Sequence, residues 1–210
     1  MIPKISFHLS SLDNLSAALK LTNGRIDEAI DLSLDVTFRF ISSLIDFRKP
    51  LIGVINGPAY GIAVTSLALM DCVFAGDTAH FITPFTSLAI VPECCSSYTF
   101  PLILGPSLAN QMLMFNYKLS AREARERGLI AAIHPRDTLR CRTNEWLRQV
   151  GESAVTHSVI AAKMLIRNAA QRELLHRVNR EEFEVLRATM QRPEFRKMID
   201  RFLNKNKTNA

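Results

Sequence analysis

One acidic side chain and one glycine-containing turn stand out as residues that could do chemistry. Glu93 follows Pro92 and the apolar run Leu88-Ala-Ile-Val91, and it precedes a stretch that can start a helix. The turn Asn56-Gly-Pro-Ala-Tyr-Gly61-Ile62 links a short apolar run to a segment of small residues. A buried acid and a tight turn at a helix start are typical of a site that moves a proton and binds a developing oxyanion.

The turn that ends at Ile62 has two interpretations. Glycine and alanine let a backbone approach a ligand closely, and the first amides of the following helix have no partner within that helix. In the functional interpretation, the amide of Ile62 or a neighbour stabilises a carbonyl oxygen as negative charge builds on it. In the alternative, this is a strand-to-helix turn whose small residues serve packing. Spacing alone leaves both open.

Glu93 also has two interpretations. An acid at a helix start is favoured by the helix dipole, whereas an acid among apolar residues can act as a general base. The two surroundings act in opposite directions, since burial raises a carboxyl pKa and helix amides lower it. The residues around Glu93 do not decide between these roles.

Other reactive side chains show no catalytic or metal-binding pattern. The four cysteines form no C-x-x-C pair, which fits a reduced compartment. Cys94 and Cys95 are adjacent, and we interpret them as buried structural thiols. The five histidines lack metal-ligand spacing, and no phosphate-binding or dinucleotide-binding motif is present. The sequence therefore predicts no metal and no cofactor.

The elements that would position these residues follow from the apolar pattern. Buried strands are predicted at Leu51–Ile55 and Cys72–Ala75, with a helix at Ile62–Met70 between them. Such a unit favours parallel strands with a right-handed crossover. A helix from Asp27 to Lys49 is predicted by an apolar face at spacings of three and four, formed by Ile30, Leu34, Phe38, Ile41 and Ile45.

The remainder of the chain is predicted to be mainly helical. Residues 6–21 suggest a strand and then a weak helix, Phe81-Ile-Thr a short strand, and Ser96–Leu104 a helix interrupted by Pro101. Ser120 and Glu123 have the spacing of a capping box. Later helices are predicted at about 137–150, 154–170, 172–190 and 194–204, with breaks at Gly151 and Pro193 and an apolar stripe at Phe183, Leu186 and Met190.

Composition narrows the function classes. The 210 residues carry 26 Lys and Arg against 20 Asp and Glu, a net charge of +6 that fits an ordinary basic surface or attraction for an anionic, phosphate-bearing ligand. Basic residues form no compact patch with aromatics, so nucleic-acid binding is not expected. No apolar run reaches the roughly 18–20 residues of a membrane span. The N-terminus lacks a secretory pattern, and Thr208-Asn-Ala210 is not a peroxisomal SKL-type signal.

Three segments carry a specific resemblance over residues 27–204: KPLIGVINGPAYGIAVTSLALMD (49–71), FITPFTSLAIVPECCSSYTFP (81–101) and KLSAREARERGLIAAI (118–133). The chain resembles the crotonase, or enoyl-CoA hydratase/isomerase, superfamily. It is most similar to Δ3,Δ2-enoyl-CoA isomerases of the peroxisomal and mitochondrial type.

The resemblance implies roles for the candidate residues. The backbone amide of Ile62 would be one of two donors to the thioester oxygen, and Glu93 would be the single catalytic acid. The two glutamates of the hydratases match Thr65 and Phe85 here, so hydratase activity is not expected. Substrate-binding positions would be Ala59, Gly61, Phe85 and Tyr98.

The resemblance also implies an architecture and partners. We expect an α/β fold with a partial ββα spiral core at 1–117, a C-terminal helical region for CoA binding and oligomerisation at 118–204, and a frayed tail at 205–210. The substrate would be an acyl-CoA thioester, the assembly a homo-oligomer (trimer or hexamer), and the compartment a peroxisome or mitochondrion.

Two departures from the family pattern affect these expectations. Nothing in residues 1–26 matches the family's S-G-x-D loop, which supplies the second oxyanion donor, and Cys94 stands where relatives usually carry glycine. The alternative function is therefore a non-catalytic acyl-CoA-binding or assembly module of the chromodomain-Y-like type.

Overall fold

The computed structural model describes residues 11–208, with side-chain surroundings for residues 14–201. This part of the chain forms ten α-helices and six β-strands. In chain order they are α1 (Ser11–Leu21), α2 (Ile26–Ile45), β1 (Ile52–Ile55), β2 (Ala59–Tyr60), α3 (Ile62–Thr65), β3 (Cys72–Gly76), β4 (His80–Ile82), α4 (Ser96–Leu104), α5 (Pro106–Phe115), β5 (Leu119–Ser120), α6 (Ala121–Glu126), β6 (Ala132–His134), α7 (Leu139–Ser153), α8 (Thr156–Ile166), α9 (Ala169–Met190) and α10 (Pro193–Thr208).

The first sheet contains the predicted strand pair. Strands β1 and β3 are parallel, with Ile52 opposite Cys72 and Ile55 opposite Ala75, and β6 adds a third parallel strand beside β3. The parallel pairing predicted from the two apolar runs is therefore confirmed. The helix predicted at Ile62–Met70 is only partly correct, because α3 spans one turn and continues as a 3₁₀ turn at Ser66–Leu69.

A second small sheet, in the order β2-β4-β5, was not predicted as a sheet. Strand β2 is parallel to β4, and β5 is antiparallel to β4. Only the strand around Phe81 was expected from the sequence. Strands of two or three residues are too short for an alternating pattern to reveal them. This sheet matters for the site because β2 leads directly into the turn at Gly61.

Helix α2 confirms the apolar face predicted from Ile30 to Ile45. Ile30, Ile41 and Ile45 are buried, and the helix packs against α9, where the rings of Phe38 and Phe183 meet edge to face at 5.2 Å between centroids. The apolar stripe on α9 is buried in the core as well. Packing against α2 thus fixes where the long helix α9 lies relative to the sheets.

Two predicted helix breaks are wrong. Pro101 lies inside the continuous helix α4, and Gly151 lies inside α7. Proline at this position removes one intrahelical hydrogen bond, the bond to the carbonyl of Ser97, and the other residues of α4 continue the helix. A single glycine costs a helix only about 1 kcal/mol relative to alanine, so α7 can continue through it.

The capping box at α6 is confirmed. The Ser120 hydroxyl accepts from the Glu123 amide at 3.2 Å, and the Glu123 carboxylate accepts from the Ser120 amide at 2.9 Å. The Ser120 donors, followed by the Tyr117 hydroxyl, hold the pKa of Glu123 below its usual value.

The C-terminal part contains the four predicted helices, α7 to α10, with shifted ends. Helix α10 extends to Thr208, into the segment 205–210 that was expected to be frayed. Residues 11–21 form α1, whereas the strand suggested before it, at residues 6–10, lies outside the described residues. None of the helices in the described chain is long and apolar enough to cross a membrane.

Candidate active site

Glu93 occupies a buried position at a strained turn. Its residue is 2% exposed, and the next two residues, Cys94 and Cys95, have φ of 62° and 59°. A non-glycine residue in this left-handed region costs on the order of 1–3 kcal/mol and persists only where the surroundings hold it. Helix α4 then begins at Ser96. Glu93 therefore lies just before the left-handed turn that leads into α4.

The first amides of α4 have acceptors other than the Glu93 carboxylate. The Ser96 amide and hydroxyl donate to the backbone carbonyl of Glu93, at 3.3 and 2.7 Å. The amides of Cys95 and Ser97 donate to Glu182, at 2.7 and 2.9 Å, and the Ser97 hydroxyl donates to it at 2.6 Å. The helix-start role considered for the Glu93 side chain is thus performed by Glu182. This favours the general-base interpretation of Glu93.

Sequence reasoning missed Glu182, although a signal for it was present. Glu182 lies four residues after Val178 and four before Leu186, on the apolar face of α9, and its residue is 7% exposed. An acid at an apolar-face position needs hydrogen-bond donors, because burying an unpaired charge is costly. The α4 turn supplies three.

The surroundings of Glu182 have opposing effects on the pKa of its carboxyl group. Burial, together with the smaller effect of the neighbouring Glu93 charge, raises the pKa of this carboxyl to about 7, against the effect of the donors from Ser97 and Cys95. The two carboxyl groups are therefore close enough to interact electrostatically across the α4 turn.

The turn before Ile62 has a geometry that both interpretations allow. The Gly61 amide donates to the Ile82 carbonyl at 2.9 Å, which ties the end of β2 to β4. Gly61 has φ of 54° and ψ of −124°, a conformation that is accessible essentially to glycine. Its carbonyl accepts from the amides of Val64 and Thr65. Ile62 is the first residue of α3, so no earlier carbonyl of this helix can accept a hydrogen bond from its amide.

Thr65 links the two halves of the candidate site. It lies on α3, three residues after Ile62, and its side chain is near enough to the Cys94 thiol, next to Glu93, to act against the rise in the pKa of that thiol. Thr65 and Cys94 are fully buried, and α4 packs on the 3₁₀ turn that continues α3. The fold thus brings the Ile62 turn and the Glu93 turn into contact.

The predicted substrate-binding residues lie around the same two turns, with different exposure. Ala59 and Phe85 are buried, at 6% and 1%, whereas Tyr98 is half-buried and packs on the core from α4. The Phe85 carbonyl accepts the Ile90 amide at 2.9 Å, which shapes the loop before Glu93. Their contact with a substrate stays a prediction.

Burial makes the two thiols beside Glu93 unreactive. Burial raises the pKa of Cys95 to about 12 and that of Cys94 well above its usual value. The Cys95 thiol donates to the carbonyl of Leu175 on α9 at 3.3 Å. These observations fit the prediction of structural thiols. Among the described residues, no group of three or more His, Cys, Asp or Glu side chains is arranged to hold a metal ion.

Comparison with known proteins agrees with the fold. The family model for enoyl-CoA hydratase/isomerase matches residues 25–209. The crystal structure of an enoyl-CoA hydratase/isomerase from Pseudoalteromonas atlantica T6c superposes with a TM-score of 0.74 at 31% identity, over 80% of this chain and 66% of that one. The chain belongs to the enoyl-CoA hydratase/isomerase family. The resemblance stated from the sequence and the crotonase fold are thereby confirmed.

Relatives with specific names divide into two groups. Enoyl-CoA delta isomerase 3, peroxisomal, of Mus musculus is 43% identical over 181 residues, which are 86% of this chain and 56% of the relative. Enoyl-CoA delta isomerase 2 of Rattus norvegicus is 43% identical over 84% of this chain and 46% of the relative. Chromodomain Y-like protein 2 of Mus musculus is 36% identical over 84% of this chain and 33% of the relative. The chain thus spans about half the length of the delta isomerases that it matches.

Proposed function

We propose that this chain is a Δ3,Δ2-enoyl-CoA isomerase that acts on acyl-CoA thioesters in fatty-acid oxidation. The observation that carries the proposal is the placement of Glu93. Glu93 is buried next to α4, which packs on the 3₁₀ turn that continues α3, and the helix-capping role considered for this acid is performed by Glu182. Names of relatives at 43% identity support the same reaction class.

The proposed mechanism needs a single carboxylate. Glu93 removes a proton from C2 of a 3-enoyl-CoA, and the electron pair delocalises onto the thioester oxygen, which the Ile62 amide stabilises. The same carboxyl returns the proton at C4, which gives the 2-trans-enoyl-CoA. Because no water is added, the reaction does not need the second acid that hydratases use. This agrees with threonine and phenylalanine at positions 65 and 85.

Substrate binding is proposed from position and charge. Ala59 and Gly61 would let the backbone approach the thioester, and Tyr98 and Phe85 would lie along the acyl chain. The net charge of +6 favours an anionic ligand such as the phosphate-bearing CoA moiety. The reaction requires no cofactor. We further propose a homo-oligomer and a peroxisomal location, the latter supported by the name of the mouse relative.

A second candidate is a non-catalytic acyl-CoA-binding module. It is favoured by the relationship to chromodomain Y-like protein 2. Both candidates would bind an acyl-CoA, so binding does not distinguish them. Only the isomerase would turn over its substrate.

The deciding experiment measures double-bond migration in 3-hexenoyl-CoA by the full chain and by Glu93→Gln. The isomerase proposal predicts a loss of at least about 10² in kcat for the variant, because the proton-transferring group is gone. Both proteins should retain the same thermal midpoint and the same affinity for a saturated acyl-CoA. Wild-type turnover no faster than that of the variant would contradict the proposal. Acyl-CoA binding without turnover would support the non-catalytic module. Hydration of a 2-enoyl-CoA, run in parallel, should be undetectable.

A further inference from the structure

Helix α9 reaches the catalytic turn through one side chain. Glu182 is 87 residues beyond Cys95 in sequence, yet its Oε2 atom accepts the Cys95 amide at 2.7 Å. Its Oε1 atom accepts the Ser97 amide at 2.9 Å and the Ser97 hydroxyl at 2.6 Å. One carboxylate therefore bonds both ends of the turn that starts α4.

The segment that Glu182 holds directly follows Glu93. Cys94 and Cys95 both have left-handed backbone conformations, which non-glycine residues adopt only when neighbouring contacts enforce them. The Cys95 thiol makes a second bond to the same helix, at the Leu175 carbonyl. Both contacts fix the residues that directly follow Glu93.

We propose that Glu182 is a positioning residue for the reaction, which holds the Cys94–Cys95 turn so that the Glu93 carboxylate faces the reacting carbons. This inference rests on the proposed function and extends it to a residue on the C-terminal helical region. Small displacements of a catalytic group suffice for a large effect, since a misplacement of about 1 Å can cost about 10²-fold in rate.

Two substitutions at Glu182 remove its hydrogen bonds in part or completely. Glu182→Gln keeps an oxygen for the Ser97 donors but turns an NH₂ group toward the Cys95 amide, so one donor loses its acceptor. Glu182→Ala removes all three bonds. Glu184→Gln, on the exposed face of the same helix, is the matched control.

Kinetics with 3-hexenoyl-CoA at pH 8 provide the first readout. We expect kcat to fall at least tenfold in Glu182→Gln and further in Glu182→Ala, with KM within twofold of wild type and Glu184→Gln unchanged. A kcat within twofold of wild type would overturn the proposal. So would a loss of kcat/KM that comes from a higher KM. Should the Glu182 variants not fold, Ser97→Ala removes only the hydroxyl donor, and an unchanged kcat in that variant would equally overturn it.

Thiol alkylation mapped by mass spectrometry provides a readout that does not depend on turnover. Cys94 and Cys95 are buried, and exposed Cys141 is an internal reference within the same molecule. In Glu182→Gln under native conditions, we expect alkylation of Cys94 and Cys95 to accelerate at least tenfold relative to Cys141. Unchanged alkylation would show that Glu182 does not hold the turn, whatever the activity. Accelerated alkylation in a chain that shows no wild-type turnover would refute the proposed function and leave the anchoring contact established.

Discussion

The ammonium group of Lys163 on α8 lies 2.7 Å from the Oδ2 atom of Asp71, which directly precedes β3. The same oxygen accepts the Leu51 amide at 2.7 Å, and Lys163 also donates to the Lys49 carbonyl at 2.7 Å. The lysine side chain is 6% exposed and that of Asp71 is 28% exposed. One ion pair thus joins the C-terminal helices to the start of both β1 and β3.

Removing this lysine should destabilise the fold. Lys163→Met leaves the partly buried Asp71 carboxylate without the cation that hydrogen-bonds it, and we expect a loss of about 3 kcal/mol in the free energy of unfolding. Urea unfolding measures it. The control is Arg148→Ala, which removes an exposed pair of equal N–O distance, 2.7 Å to Glu152, and should cost less than about 1 kcal/mol. If both variants lost the same free energy of unfolding, burial would not explain the strength of the Lys163–Asp71 pair. The double variant Lys163→Met/Asp71→Asn should recover part of the loss.

The backbone at Gly61 is expected to tolerate no side chain. Its φ of 54° with ψ of −124° is essentially closed to other residues, so Gly61→Ala should cost on the order of 1–3 kcal/mol and lower kcat by displacing the Ile62 amide. Thermal unfolding and the isomerase assay measure the two effects.

The matched control for that substitution is Gly151→Ala. Gly151 lies within α7, and a Cβ atom added to it would meet no other atom within 4 Å, so the variant should be more stable by about 0.5–1 kcal/mol. A destabilisation of the same size in both variants would refute the conformational argument.

The pH dependence of stability should report Glu182. Its pKa is about 7 in the folded chain against an ordinary value of 4.5, so the folded state binds the proton more tightly than the unfolded state. The resulting stabilisation is complete below pH 4.5 and is lost as the pH rises to 7. The difference of about 2.5 pH units corresponds to about 3 kcal/mol. Glu93, Cys94 and Cys95 face Glu182, and both thiols stay neutral across this range because their pKa values are raised.

Urea unfolding at pH 5 and pH 8 tests this dependence. The stability deficit of Glu182→Gln relative to wild type should be larger at pH 5 and should shrink by about 2–3 kcal/mol at pH 8. Glu184→Gln should show no such trend. A deficit that grows with pH would mean that the ionised carboxylate, and not the protonated one, is favoured by the fold.

Local patterns predicted much of the fold. The face from Ile30 to Ile45 and the runs at Leu51 and Cys72 identified α2, β1 and β3, because burial imposes a period on the sequence. The pattern failed at the two-residue strands β2 and β5, which are too short to show a period. The break predicted at Pro101 was wrong because the helix loses only one hydrogen bond there.

The candidate site was predicted in part. Residue types and the family resemblance identified Glu93 and the Ile62 turn, and the structure shows that α4, which follows Glu93, packs on the 3₁₀ turn that follows α3. The boundary at residue 117, the oligomeric state and the substrate contacts of Phe85 and Tyr98 remain predictions.

The sequence by itself determined the apolar faces of α2 and α9, the parallel pair of strands, the capping box at Ser120 and the family to which the chain belongs. Only the tertiary structure decided that Glu182 performs the helix-capping role and that Cys94 and Cys95 adopt left-handed conformations beside Glu93. The physical reason is the sequence separation over which each interaction acts. Periodicity and capping act over a few residues, whereas the Glu182 carboxylate meets the Cys95 amide across 87 residues, through packing that no local spacing encodes.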